Sequence, residues 1–138
     1  MSPFRSLRDY ELFVYSLQSA VPEIVRSTLI IQRRGRLFAE LTGEVLLRNQ
    51  RRVVVYERLT WDTGAVVLVG YSYEVWADAE KLYWYDSQPH PGDPALAMTN
   101  PHHKHVPPDI KHNRLRTKNL SLTSPNLPFV FGEACAFA

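Results

Sequence analysis

The stretch that decides the fold runs from Val53 to Asp86: VVVYERLTWDTGAVVLVGYSYEVWADAEKLYWYD. It holds three runs rich in Val, Tyr and Trp, broken at Trp61-Asp62-Thr63-Gly64 and at Ala77-Asp78-Ala79-Glu80. β-Branched and aromatic side chains fit a pleated, half-buried surface, and breaks containing Asp or Gly serve as turns. The runs therefore read as consecutive strands, one opening at Val53, one over Ala65 to Trp76 and one over Lys81 to Asp86. Connections this short favour an antiparallel meander, because parallel neighbours need a crossover of about a dozen residues or more. Alternation puts Tyr71, Tyr73 and Val75 on one face and Ser72, Glu74 and Trp76 on the other.

Two further strands precede this stretch. Ile24 to Gln32 carries Val, Thr and Ile up to a basic turn, Arg33-Arg34-Gly35-Arg36, and Leu37 to Leu47 follows before a break at Asn49-Gln50. Glu40, Leu41, Glu44 and Val45 also fit a short helix; strand is preferred because the flanking pieces need a pairing partner. Upstream, Ser2 can cap a helix, Pro3 suits its first position, and no Gly or Pro interrupts the run to Ala20. Phe4, Leu7, Tyr10, Val14 and Leu17 fall on one helical face, which needs a sheet to cover it.

The last third differs in kind. It holds eight of the ten prolines, Pro89 to Pro128, and all five histidines. Proline at that density opposes long helices and central strands, while the variety of residues argues against a flexible linker. The segment reads as a long ordered loop laid over the sheet. Ser124-Pro125 then opens a short helix anchored by Phe129, Val130 and Phe131. The expected fold is α+β in a single domain: a helix over 1–22, an antiparallel meander of about five strands over 23–88, a Pro/His-rich basic loop over 89–124, and a C-terminal helix over 125–138.

Composition excludes several classes. The chain has 138 residues, 45% hydrophobic and 22% charged, with a formal net charge of +2. That suits a soluble domain and neither demands nor excludes a polyanionic partner. The single cysteine, Cys135, rules out an intramolecular disulfide and a multi-thiolate zinc site. Apolar runs such as Ala65 to Val69 are far too short to span a membrane, and Met1 to Arg5 lacks the apolar core of a secretory signal. A cytoplasmic protein is the expectation. Glycine-rich phosphate loops and serine-nucleophile motifs are absent from the sequence.

Three constellations can carry chemistry. In Asn100-Pro101-His102-His103-Lys104-His105, imidazoles and an ammonium between prolines can move protons and hold an anion. His102 and His105 are also spaced to share a metal, with Asp86, Asp109 or His112 completing the set. This reading ranks below proton transfer, and no cofactor is assigned. In Lys111-His112-Asn113-Arg114-Leu115-Arg116-Thr117-Lys118, the charges can track a phosphate backbone, although such runs more often form a solvated loop. Arg33, Arg34, Arg36, Arg48, Arg51 and Arg52 add basic turns. Tyr71, Tyr73, Trp76, Tyr83, Trp84 and Tyr85 could stack bases but fit core pairs better. Glu74, on an apolar strand, must be paired or sit in a site; Asp62, Asp86 and Glu57 are alternative acids.

Tyr56-Glu57-Arg58-Leu59, Asp62-Thr63-Gly64 and Tyr71 to Trp76, with Tyr83-Trp84-Tyr85-Asp86, Pro101-His102-His103-Lys104-His105 and Lys111-His112, resemble the TumE toxin family over roughly Ile24 to Phe129. Gly132 to Ala138 departs from the charged helix with which such proteins tend to continue. The resemblance implies the toxin of a type II toxin–antitoxin pair, a helix-turn-helix antitoxin as partner, and a target in nucleic-acid metabolism. No catalytic set is carried over from it. From the residues, the expected chemistry is metal-independent phosphodiester cleavage. His103 and His105 are acid and base, Lys104 and Arg114 stabilise charge, and Glu74 or Asp86 orients an imidazole, while Lys111, His112, Arg114, Arg116 and Lys118 bind the strand. The rival expectation is a non-enzymatic module that grips nucleic acid or a protein and interferes with replication or translation.

Overall fold

The computed structural model describes residues 2–62, 64–87, 102–107, 114–116 (as backbone) and 119–137. Among them, eight strands make one antiparallel sheet: β1 (Ile24–Ser27), β2 (Ile30–Arg33), β3 (Phe38–Leu47), β4 (Arg51–Thr60), β5 (Val67–Ala77), β6 (Glu80–Asp86), β7 (His103–His105) and β8 (Arg114–Arg116). Their order is β1-β3-β4-β5-β6-β7-β8, with β2 also pairing β3. The α+β fold and the meander match expectation, and residues 38–47 are strand throughout.

The first expected strand is two. Ser27 pairs Val45 and Ile30 pairs Thr42, with the junction lying over Gly43. Gly43 has φ +135°, and a Cβ there would meet the Thr28 carbonyl oxygen at 2.6 Å. Only glycine lets the two backbones approach so closely.

The N-terminal helix is also divided. Pro3–Arg5 is a single 3-10 turn, Ser6 is extended, and its Oγ accepts from the Asp9 N–H at 3.0 Å to start α1 (Leu7–Tyr15) afresh. Ser16 donates its hydroxyl to the Leu12 carbonyl at 2.7 Å and separates α1 from α2 (Leu17–Ala20). The apolar stripe survives both breaks: Phe4, Leu7, Tyr10, Val14 and Leu17 are all buried. The last helix, α3, spans Leu127–Ala136, beginning after Pro125 rather than at it. The Asn126 side chain is occupied with Ser121, accepting from its N–H at 2.8 Å and donating to its carbonyl at 2.9 Å.

The largest departure concerns the Pro/His segment, whose described parts include two short strands. β7 pairs β6 on one side and β8 on the other, extending the sheet. The strand takes only the middle three of the five residues between Pro101 and Pro107, so neither proline has to supply a ladder N–H. Most of the remainder of 89–124, including His90 and His112, lies outside the described residues.

The helices cover one face of the sheet. Tyr10, Val14, Leu127 and Phe131 join Leu41, Val55, Tyr73 and Tyr85 in one buried cluster. The other face carries Glu40, Tyr56, Ser72, Glu74, Trp84 and Asp86, all half-buried. Among the described residues, no helix is long and apolar enough to cross a membrane.

Candidate functional site

The antiparallel register of β6 and β7 sets Asp86 opposite His103 and Trp84 opposite His105. Residues two apart in a strand share a face, so both imidazoles fall beside one carboxylate. His103 Nε2 contacts Asp86 Oδ1 directly, and His105 Nε2 lies 3.0 Å from Oδ2. The Trp84 indole N–H donates to the same Oδ2 at 3.2 Å, and its ring stacks under His105 with centroids 4.0 Å apart. Both histidines are buried, whereas the Asp86 side chain keeps 17% of its surface exposed. Burial alone would raise the Asp86 carboxyl. The hydrogen bond and charge of His103, followed by Trp84 and the charge of His105, overcome this and hold it down at about 2.

Asp86 opens this cluster to a cleft of about 340 Å³ on the polar face, lined also by Tyr56, Arg58, Tyr71, Ser72 and Ser87. Arg58 is exposed there, its guanidinium 5.5 Å above the Phe38 ring. The Tyr71 hydroxyl contacts His102 Nδ1, and the two rings stack. Burial, then the charge of His103, lowers the His102 pKa; burial, then the charge of Asp86, raises that of Tyr71. The arrangement places a carboxylate and a cation on one concave surface, with two imidazoles buried behind the carboxylate, which suits proton transfer, metal ligation or anion binding.

The other expected residues are placed differently. Lys104 alternates to the helix side, where Nζ lies 3.1 Å from Glu133 Oε2 on α3 and 4.4 Å from the Tyr83 ring centroid. Tyr85 donates to the same carboxylate at 2.8 Å. Glu74 pairs with Trp84 in the ladder and binds Lys81 Nζ at 3.4 Å and the Trp76 indole N–H at 3.0 Å, with Trp84 between it and His105. The backbones of Arg114 and Arg116 lie opposite His105 and His103, while Lys111, His112 and Lys118 are outside the described residues. Several basic residues of the turns are engaged locally: Arg33 with Glu11, Arg34 with Glu40, Arg52 with Glu44.

A family model described as Toxin TumE matches residues 14–133, from α1 to α3. The chain belongs to the TumE toxin family. Asp86, His102, His103, His105, Arg58, Tyr71 and the buried Glu57 all fall inside the matched span. Membership implies a cognate antitoxin as partner. No curated protein and no solved structure matches the chain significantly.

Two residues of this TumE protein stand out more than their sequence context signals. Arg58 is exposed beside buried Glu57 on β4, a placement that strand alternation is able to signal. Glu57 is fully buried, and Tyr10 from α1 and Tyr73 from β5 each donate a hydroxyl to it. Tyr73 in turn accepts from Asn126 Nδ2 at 3.1 Å. Burial pushes the Glu57 carboxyl up to about 7, against the pull of the two tyrosine hydrogen bonds. This network ties α1, β4, β5 and the start of α3 together on the face away from the cleft.

Proposed function

We propose that the chain is the toxin of a type II toxin–antitoxin pair, acts in the cytoplasm, and cleaves nucleic acid at the Asp86–His103–His105 cluster. Its restraint by a helix-turn-helix antitoxin belongs to the same proposal. The observation that supports cleavage is the convergence of two imidazoles on one carboxylate at the edge of a cleft. RNA carries its own nucleophile. In metal-free chemistry, a neutral imidazole takes the 2′-hydroxyl proton, the 2′-oxygen attacks phosphorus, and the P–O5′ bond breaks as the protonated imidazole supplies a proton to O5′. Asp86 orients the rings. Arg58, exposed in the cleft, takes the charge-stabilising role that Lys104, held by Glu133, is poorly placed to fill.

The test is incubation of pure protein with labelled RNA and single-stranded DNA, with and without EDTA, beside His103→Ala/His105→Ala. The expected result is cleavage that the double variant loses; equal cleavage by both proteins overturns the reading. The burial of both imidazoles favours one rival, a module in which they only brace β7. Salt-sensitive binding without product would establish that rival.

A further inference from the structure

We propose that Asp86, His103 and His105 form a binding site for one divalent first-row transition-metal ion, with its open coordination positions facing the cleft. The inference rests on the proposed cleavage site for its location but replaces the metal-free acid–base step there, because an imidazole nitrogen that ligates an ion cannot also take up a proton. One carboxylate oxygen of Asp86 and one ring nitrogen from each histidine all lie within 4.8 Å of one another, and His105 Nε2 lies 3.0 Å from Asp86 Oδ2. A metal with bonds of about 2.0–2.2 Å holds neighbouring ligand atoms roughly 3–3.5 Å apart. Small side-chain rotations therefore convert the contacts between these groups into contacts with a shared ion.

The donor set is what such an ion selects. Two imidazoles and one carboxylate suit Zn²⁺, Fe²⁺ or Co²⁺ better than Mg²⁺ or Ca²⁺, which prefer oxygen alone. Catalytic zinc keeps three protein ligands and an exchangeable position for water. That position follows from burial here: the two rings are enclosed, and Asp86 is the member that lines the cleft. The surroundings supply outer support, because Trp84 donates its indole N–H to Asp86 and stacks on His105. Groups of this kind orient metal ligands and typically change affinity about 10–100-fold. Lys104, between the two histidines in sequence, points to the opposite face and binds Glu133, so its ammonium does not face the ion. The H-x-H spacing works only because β7 is a strand, where positions 103 and 105 share a side.

The experiment is calorimetric titration of chelator-treated, full-length protein with Zn²⁺, together with the visible absorption of Co²⁺ added to the same protein. Saturation at one equivalent, with Co²⁺ bands of a nitrogen/oxygen site, is expected. His103→Ala and His105→Ala should each weaken binding by roughly 100-fold or more, Trp84→Phe by about 10-fold, and Glu44→Gln not at all. Circular dichroism confirms that each variant is folded; if an alanine variant is not, His105→Gln replaces it. Failure to saturate, or equal affinity in the histidine variants, overturns the site. Metal binding without strand cleavage keeps this inference and rejects the nuclease. Cleavage that needs the histidines but survives EDTA in protein that binds no Zn²⁺ does the reverse.

Discussion

Glu57 and Asp86 sit on the same sheet, one on each face, and their carboxyls respond in opposite directions. Glu57 is enclosed by the helices, accepts from the neutral hydroxyls of Tyr10 and Tyr73, and is pushed up to about 7 by burial. Asp86 is partly exposed, meets two imidazoles and an indole N–H, and is held down at about 2. Neighbouring environments that drive two acids apart assign them different work. The helix-covered face uses its acid to join elements of the core, and the polar face keeps its acid ionised beside a cleft.

Breaking the polar side of this comparison should have the largest effect. Asp86→Asn keeps the shape but removes the charge that holds both histidines. Strand cleavage, followed with labelled RNA, should fall roughly 100- to 10,000-fold, the range that acid–base and ligand groups supply. Lys104→Met, on the other face, should leave the rate within about threefold if Arg58 is the cation that matters. Comparable losses in both proteins would mean that the two faces do not divide the labour as drawn.

The next largest effect sharpens the buried side. A carboxyl whose folded pKa lies above its unfolded value binds its proton more tightly in the native state. The stability it adds is complete below the unfolded value, here about 4.5, and drains away as pH rises to about 7. The difference amounts to about 3 kcal/mol at most across that window. Urea denaturation of the native protein and Glu57→Gln between pH 4.5 and 7.5 reads it directly. The native protein should lose stability relative to the variant as pH rises. Parallel curves would show that Glu57 shares its titration with its surroundings instead.

What sequence reading could and could not reach follows the same division. The Val53–Asp86 strands and the stripe from Phe4 to Leu17 were legible because each is periodic within itself, and burial follows from period alone. Glu57 was legible as an acid, but not as the partner of Tyr10, since that contact crosses 47 positions. The polar site was half legible. His103, His105 and Asp86 stand out by residue type, yet the prolines around them read as loop, and in a loop positions 103 and 105 have no fixed relation. The pairing of β7 with β6 supplied it. Glu74 reads from sequence as a partner for the histidines because Trp84, which separates them, enters only through cross-strand register.

Arg58 offers a smaller effect on the polar face. It is exposed, so Arg58→Ala should change stability by no more than about 0.5 kcal/mol. Binding of a noncleavable oligonucleotide should weaken by about tenfold at low salt, and the slope of log K against log salt should drop by roughly one phosphate contact. An unchanged slope would remove Arg58 from the binding surface.

The smallest effect is expected at Glu74, and its smallness is informative. Its carboxylate and the Lys81 ammonium are both about a quarter exposed, at 29% and 26%, so water and salt screen their pairing. Glu74→Gln keeps the acceptor for the Trp76 N–H, and the stability change should stay under about 0.5 kcal/mol and vanish in high salt. Cleavage should be unaltered, because the Trp84 ring stands between Glu74 and His105 and Asp86 already engages that imidazole. A loss on the scale of Asp86→Asn would place Glu74 within the reacting cluster after all, and the indole would then transmit an electrostatic effect rather than separate the two groups.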